Sequence, residues 1–183
     1  LIVHDGVHDE FVEKLVAATR AMTVGHALEE GTQIGPVVSE GQLAANLDYM
    51  DIARKEGGEV LCGGDRLTLA HDGYYMAPAV IAGTGNGWRI NREEMFAPIA
   101  CVIRAGSYDE ALAISNDTDF GLTAGIMTTS LARAGDFRRR AETGVVMVNL
   151  PTAGTDYHVP FGGRGDSSYG PREQGKYAVE FFT

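Results

Sequence analysis

The chain has 183 residues, 44% hydrophobic and 22% charged, a balance that can bury a core and excludes a disordered tail. Its net charge of −10 and isoelectric point near 4.9 exclude a phosphate-tracking nucleic-acid surface and an attraction to anionic membrane. No apolar run reaches the roughly 18 residues of a membrane span, and the amino end lacks the basic-then-apolar order of a secretion signal, so a cytoplasmic protein is expected.

Leu1-Ile2-Val3 reads as a strand already under way, with no methionine before it, so the chain is either processed or a piece of something longer. Asp9–Met22 then places Phe11, Val12, Leu15, Val16, Thr19 and Met22 at helical spacing. After a long loop, Ser39 with Gln42 matches a capping box, Leu43, Leu47 and Met50 carry an apolar face, and Gly57-Gly58 stops a second helix. Glu59–Cys62 reads as a strand, Gly63–Asn86 as turns with one or two further strands, and Ala97–Arg104 as one buried strand.

Ser107 with Glu110 repeats the capping box before Ala111, Leu112 and Ile114, and Gly121 turns the chain into a strand over Thr123–Thr129. Ser130 opens a helix through Leu131, Ala134 and Phe137 that ends near Gly144. The run Val145-Val146-Met147-Val148 suits a central strand covered on both faces. Helix and strand alternate throughout, which predicts a single α/β domain over residues 1–183 with a mostly parallel sheet and flanking helices.

Residues 150–175 break the rhythm as a long loop rich in glycine and proline. A loop of that length inside a compact domain, leaving the end of a strand in an open sheet, is a candidate wall for a ligand. Its glycines could cradle a phosphate, but the spacing fits neither a P-loop nor a dinucleotide fingerprint. His158, beside Tyr157, is a pocket residue or a structural one, whereas His4 and His8 read as solvated because they do not share a helix face as zinc ligands would. Cys62 and Cys101 lie in apolar, strand-like surroundings and read as buried, reduced thiols. No serine stands in G-x-S-x-G and no catalytic nucleophile is legible. Glu93 and Glu94, judged as residue types, are a solvated turn.

Five ordered motifs change that reading. Glu93-Glu94-Met95-Phe96-Ala97-Pro98 resembles the Glu-Glu-Ile-Phe-Gly-Pro segment of the aldehyde dehydrogenase superfamily. Asn116-Asp117-Thr118-Asp119-Phe120-Gly121-Leu122 is similar to its Asn-Asp-Thr-x-Tyr-Gly-Leu. Gly144 to Asn149, Pro160-Phe161-Gly162-Gly163 and the Gly35-Pro36 turn complete the resemblance, which covers essentially the whole chain. Within the superfamily, Pro151–Phe161 and Ser167–Gly175 look most like 2-oxoglutarate semialdehyde (2,5-dioxopentanoate) dehydrogenases.

The resemblance implies the carboxy-terminal portion of a catalytic domain, with the coenzyme-binding domain absent. It implies NAD or NADP as coenzyme, a small-molecule aldehyde as substrate and a homo-oligomeric parent; charge and spacing, as read above, add the expectation of no metal, membrane or nucleic-acid partner. Glu94 then hydrogen-bonds the ribose hydroxyls on the nicotinamide side, as a carboxylate suits a diol, while Glu93 caps or pairs locally. Phe96 packs beside the nicotinamide ring. Gly154 to Phe161 line the aldehyde channel, with Phe161 as an apolar wall, and Glu173 either serves water and proton traffic or is a helix-start acid facing the dipole. Two departures stand out: Ala97 replaces the family's glycine, and Gly165-Asp166 replaces a basic pair. Neither cysteine matches the family's nucleophile, so the chain alone is expected to be inactive. A reading in another class is a non-catalytic folding or assembly module that retains the fold.

Overall fold

The computed structural model describes residues 1–183, the side chain of Phe181 excepted. The chain forms two compact units, Leu1–Ser107 and Tyr108–Thr183.

In the first unit, β1 (Ile2–His4) runs straight into α1 (Asp5–Arg20). The helix begins four residues before the expected Asp9. His4 caps it through Nδ1, which accepts from the Gly6 N–H at 3.1 Å, and Asp5 meets the positive end of the dipole. Val12, Leu15 and Val16 pack on Val3, Val80 and Val102, whereas Phe11 and Met22, expected on the same face, are partly exposed. His8 falls inside this helix and corrects the solvated reading: it is only 7% exposed. Arg104 donates to its Nδ1 at 2.6 Å while also holding Asp5 and Asp9. Apolar spacing did not reveal that turn, because its inward residue is a histidine satisfied by a distant arginine.

The second helix, α2 (Glu40–Lys55), is capped by Ser39, whose Oγ accepts from the Gln42 N–H at 3.1 Å. Gly57, at φ +98°, provides the left-handed exit that a β-carbon would resist. Leu43, Met50 and Ala53 pack on Met76, Ala79, Ile81, Ile90 and Cys101, the main core of this unit. Three short strands, rather than one or two, follow β2 (Glu59–Cys62): β3 (Arg66–Leu67), β4 (Tyr75–Met76) and β5 (Ala79–Ala82).

The apolar run expected as one strand at 97–104 is two, β6 (Ile99–Cys101) on β5 and β7 (Ile103–Ala105) on β1, both parallel. Val102 is the joint. It is fully buried, its N–H donates to Ile81 O at 2.8 Å, and its carbonyl accepts from Thr84 Oγ1 at 2.9 Å. An unbroken apolar sequence suits both segments, so composition alone does not mark the switch of partner. The α3 helix (Arg89–Arg92) precedes β6.

The second unit contains α4 (Tyr108–Asn116), β8 (Thr123–Ile126), α5 (Leu131–Arg140), β9 (Val145–Val148) and α6 (Ala178–Phe182). Ser130 Oγ caps α5 through the Arg133 N–H at 3.3 Å, and the helix ends at Arg140, short of Gly144. Leu112, Phe137 and Ala141 form the core with Ala124, Ile126 and Val146. The expected doubly covered central strand, β9, pairs in parallel with β8 alone among the described residues, and only Val145 in it is buried, the other three being half-buried. Three of the five strand pairs are parallel, β1 with β7, β5 with β6 and β8 with β9, which bears out the α/β class. The antiparallel pairs, β2 with β5 and β3 with β4, lie within residues 59–82. Among the described residues no helix is long and apolar enough to cross a membrane.

Gly63 sits at φ +64°, and a β-carbon there would stand 1.9 Å from the Pro78 carbonyl oxygen. Gly63→Ala is therefore expected to lower stability by more than about 1 kcal/mol, read as a fall in the urea unfolding midpoint.

Candidate functional site

The two adjacent acids of the 93–98 segment have different environments. Glu93 terminates α3 and is claimed from two sides: Arg89 Nε donates to its Oε1 at 2.7 Å, and the Tyr49 hydroxyl on α2 donates to its Oε2 at 2.7 Å. Arg89 also lies over the Tyr49 ring, 5.7 Å from its centroid. The Arg89 hydrogen bond, and then that of Tyr49, hold the Glu93 carboxyl below the ordinary glutamate range, and Glu93 in turn pushes the Tyr49 phenol up. Glu94 is exposed.

Phe96 is 76% exposed and adopts φ 51°, a left-handed conformation that costs a bulky residue about 1–3 kcal/mol. The backbone on either side is pinned. Gln42 Nε2 donates to Met95 O at 3.2 Å, and Ala79 N–H donates to Pro98 O at 2.9 Å. Gln42 thus spends its side chain on Met95 and Asn46 and leaves the return half of the expected capping box unmade. Phe96, Ala97 and Pro98 border a cavity of about 490 Å³ whose other wall is Gly35, Pro36 and Val37, so two of the sequence motifs meet at one recess. A larger cavity, about 700 Å³, runs along α1 beside His8 and Arg104 and touches none of the motif residues. The smaller one is the better candidate, because it carries the strained aromatic and residues of two of the sequence motifs.

In the second unit the long loop is held by its own backbone. Phe161 and Glu173 form an antiparallel bridge, N–H to carbonyl at 2.7 and 2.8 Å, and Arg172 donates to the Gly162 carbonyl. Glu173 is thus not a helix-start acid: Gln174, at φ 63°, and a 3-10 turn over Gly175–Tyr177 separate it from α6. Gly154 has φ +81° with open space where a β-carbon would stand. Asn149 ends β9 at φ 54°, and its side chain clasps Thr128 by accepting from the N–H at 2.8 Å and donating to the carbonyl at 2.9 Å.

The glycine-rich stretch 162–165 packs rather than cradles. A β-carbon on Gly144 would meet Gly162 O at 1.8 Å, one on Gly165 would meet Asp119 O at 2.4 Å, and the N–H groups of Arg164 and Asp166 donate to Gly121 and Asp119 carbonyls. Those two donors are consumed by the chain and are not offered to an anion. An Asp156–His158 contact, which sequence reasoning did not single out, has a short-range signal in the Asp-x-His spacing of a side-chain-capped turn.

Both cysteines are free, as expected, but only Cys101 is buried; Cys62, expected to be buried as well, is half-exposed at the end of β2. Burial pushes the Cys101 thiol up, the opposite of what a nucleophile needs.

The profile of the aldehyde dehydrogenase family matches residues 1–183. The chain belongs to the aldehyde dehydrogenase family. Two curated relatives are the α-ketoglutaric semialdehyde dehydrogenase of Bacillus subtilis, 38% identical over 185 residues, and the α-ketoglutarate semialdehyde dehydrogenase of Haloferax volcanii, 40% identical over 185. Each alignment covers 100% of this chain and 38% of the relative, so the chain spans well under half the length of the enzymes it matches. These names agree with the subfamily likeness of the loop sequences. Among solved structures, betaine aldehyde dehydrogenase from Staphylococcus aureus in complex with NAD+ superimposes with a TM-score of 0.94 at 28% identity over 99% of this chain and 36% of that one. An aldehyde dehydrogenase from Physcomitrella patens in complex with the reaction product succinate gives 0.91 at 33% identity, over 98% and 36%.

The depressed Glu93 carboxyl sets a sign for acid behaviour. Its folded value lies below the unfolded one, so its stabilisation is complete above the ordinary glutamate range and is lost as pH falls through the depressed value. Glu93→Gln is expected to lower the melting temperature at pH 7, with the difference from wild type shrinking as pH falls below that range in thermal scans.

Proposed function

We propose that residues 1–183 are the carboxy-terminal portion of the catalytic domain of an NAD(P)-dependent aldehyde dehydrogenase whose substrate is 2-oxoglutarate semialdehyde. In this reading the stretch supplies the ribose clamp and the aldehyde wall, while the nucleophilic cysteine and the adenosine half of the coenzyme site belong to residues outside it. The observation that carries it is the division of labour at residues 93–96: both acids are exposed, but Glu93 is tied by Arg89 and Tyr49, and Glu94 stands two residues before an exposed aromatic that borders a cavity.

That arrangement fits the coenzyme. A carboxylate accepts two hydroxyl hydrogen bonds from a ribose diol, and an exposed phenyl ring offers a face to a planar nicotinamide. When bound, NAD(P) takes the hydride released as the aldehyde becomes the acid. Glu94 orients the ribose and Phe96 limits where the ring can lie. Phe161 supplies an apolar wall, Gly154 leaves room at the loop's bend, and Glu173, an exposed carboxylate whose backbone is clamped to Phe161, orders water and moves protons. The parent is read as a cytoplasmic enzyme and, on the family resemblance, as a homo-oligomer.

In the full-length enzyme, Glu94→Gln is expected to raise the KM for NAD(P) about ten-fold or more, since hydrogen bonds to a charged group are worth about 1.5–3 kcal/mol. Glu93→Gln should move that KM far less. Equal coenzyme KM values for wild type and Glu94→Gln would refute the clamp. Residues 1–183 expressed alone should oxidise no aldehyde with NAD or NADP, because neither cysteine has the activated surroundings of a nucleophile. Turnover by the isolated chain, followed as NAD(P)H absorbance, would contradict the assignment.

A further inference from the structure

The long loop carries a built charge pair. Asp156 Oδ1 accepts from the His158 backbone N–H at 3.0 Å and stands 2.5 Å from the ring Nδ1 of the same residue. The ring stacks on Tyr157 with centroids 4.0 Å apart and planes 28° apart. The turn is bolted down at both ends, with Val159 N–H donating to Asp156 O at 3.1 Å and Gly175 N–H to Tyr157 O at 3.1 Å. Gly175 must be a glycine for this seat, since a β-carbon would stand 2.5 Å from the His158 carbonyl oxygen. The His158 side chain is nonetheless 67% exposed, so its far nitrogen points out of the turn.

Between Leu150 and Gly163 His158 is the sole basic side chain and Asp156 the sole acidic one. Arg172, the next cation to contact this loop, is committed to the Gly162 carbonyl. With Asp156 accepting at Nδ1, the imidazolium form presents Nε2–H outward as a directed donor. An imidazolium fixed in that way suits a carboxylate.

We propose that His158, oriented by Asp156, is the specificity-determining residue that holds the distal carboxylate of an acidic aldehyde, 2-oxoglutarate semialdehyde being the member of that class read above. The assignment rests on the reading of this loop as the aldehyde wall. His158 is a binding residue, with no part in bond breaking. Asp156 is a positioning residue that keeps the ring in one orientation.

The test compares steady-state kinetics of the full-length dehydrogenase, wild type, His158→Gln, His158→Arg and Asp156→Asn, on 2-oxoglutarate semialdehyde and on pentanal, a neutral aldehyde with the same number of carbons. His158→Gln should raise the KM for the acidic aldehyde about ten-fold with little change in kcat, and shift that for pentanal far less. His158→Arg should recover most of the loss, and Asp156→Asn should show a smaller loss confined to the acidic aldehyde. A His158→Gln enzyme whose two substrates shift together, or neither shifts, overturns the assignment while leaving the dehydrogenase reading standing. A wild type that oxidises neither aldehyde overturns that reading and this assignment with it.

Discussion

The candidate coenzyme contact depends on Glu93 being held by Arg89 and Tyr49. Two carboxylates one residue apart repel each other and compete for the same cations. The competition is resolved because a helical turn brings Arg89 back beneath Glu93 and α2 brings Tyr49 against it, which leaves Glu94 exposed. The pair is partly solvated, so its energetic value is modest. Its consequence is positional: with Glu93 fixed, the backbone leaves α3 extended and enters the left-handed turn at Phe96. Strain at one aromatic residue persists only where its neighbours are over-determined, and Gln42 on Met95 and Ala79 on Pro98 supply that constraint.

The same logic recurs in the second unit, where backbone pairing does what side chains do in the first. Phe161 and Glu173 bridge, Gly144 and Gly162 touch, and Gly165 seats on Asp119, so the long loop is a set of close approaches that only glycine permits. A loop fixed in this way can present side chains with little freedom to lose on binding.

Much of this was legible in the sequence, though unevenly. Helix caps at Ser39 and Ser130 and the strand at Glu59–Cys62 were readable because their signals are local. The start of α1 was not, since its first turn shows the core a histidine that is satisfied by Arg104 from far along the chain. The division of 97–104 into β6 and β7 was also hidden, because burial demands the same apolar residues whichever sheet they join. The role proposed for Glu94 comes only from family resemblance: residue type cannot tell which of two adjacent acids will be tied, and the Tyr49 contact that ties Glu93 comes from forty-four positions away. Asp156 with His158 was missed for a different reason, as a histidine in a loop has many uses and only the geometry shows its ring held by a carboxylate.

A crystal structure of the full-length parent protein with NAD+ bound tests the central claim most directly. The account predicts Glu94 oxygens about 3 Å from the nicotinamide ribose hydroxyls, with Glu93 still on Arg89 and Tyr49. A ribose held by other groups while Glu94 faces solvent, or Glu93 released to make the contact in its place, would contradict it.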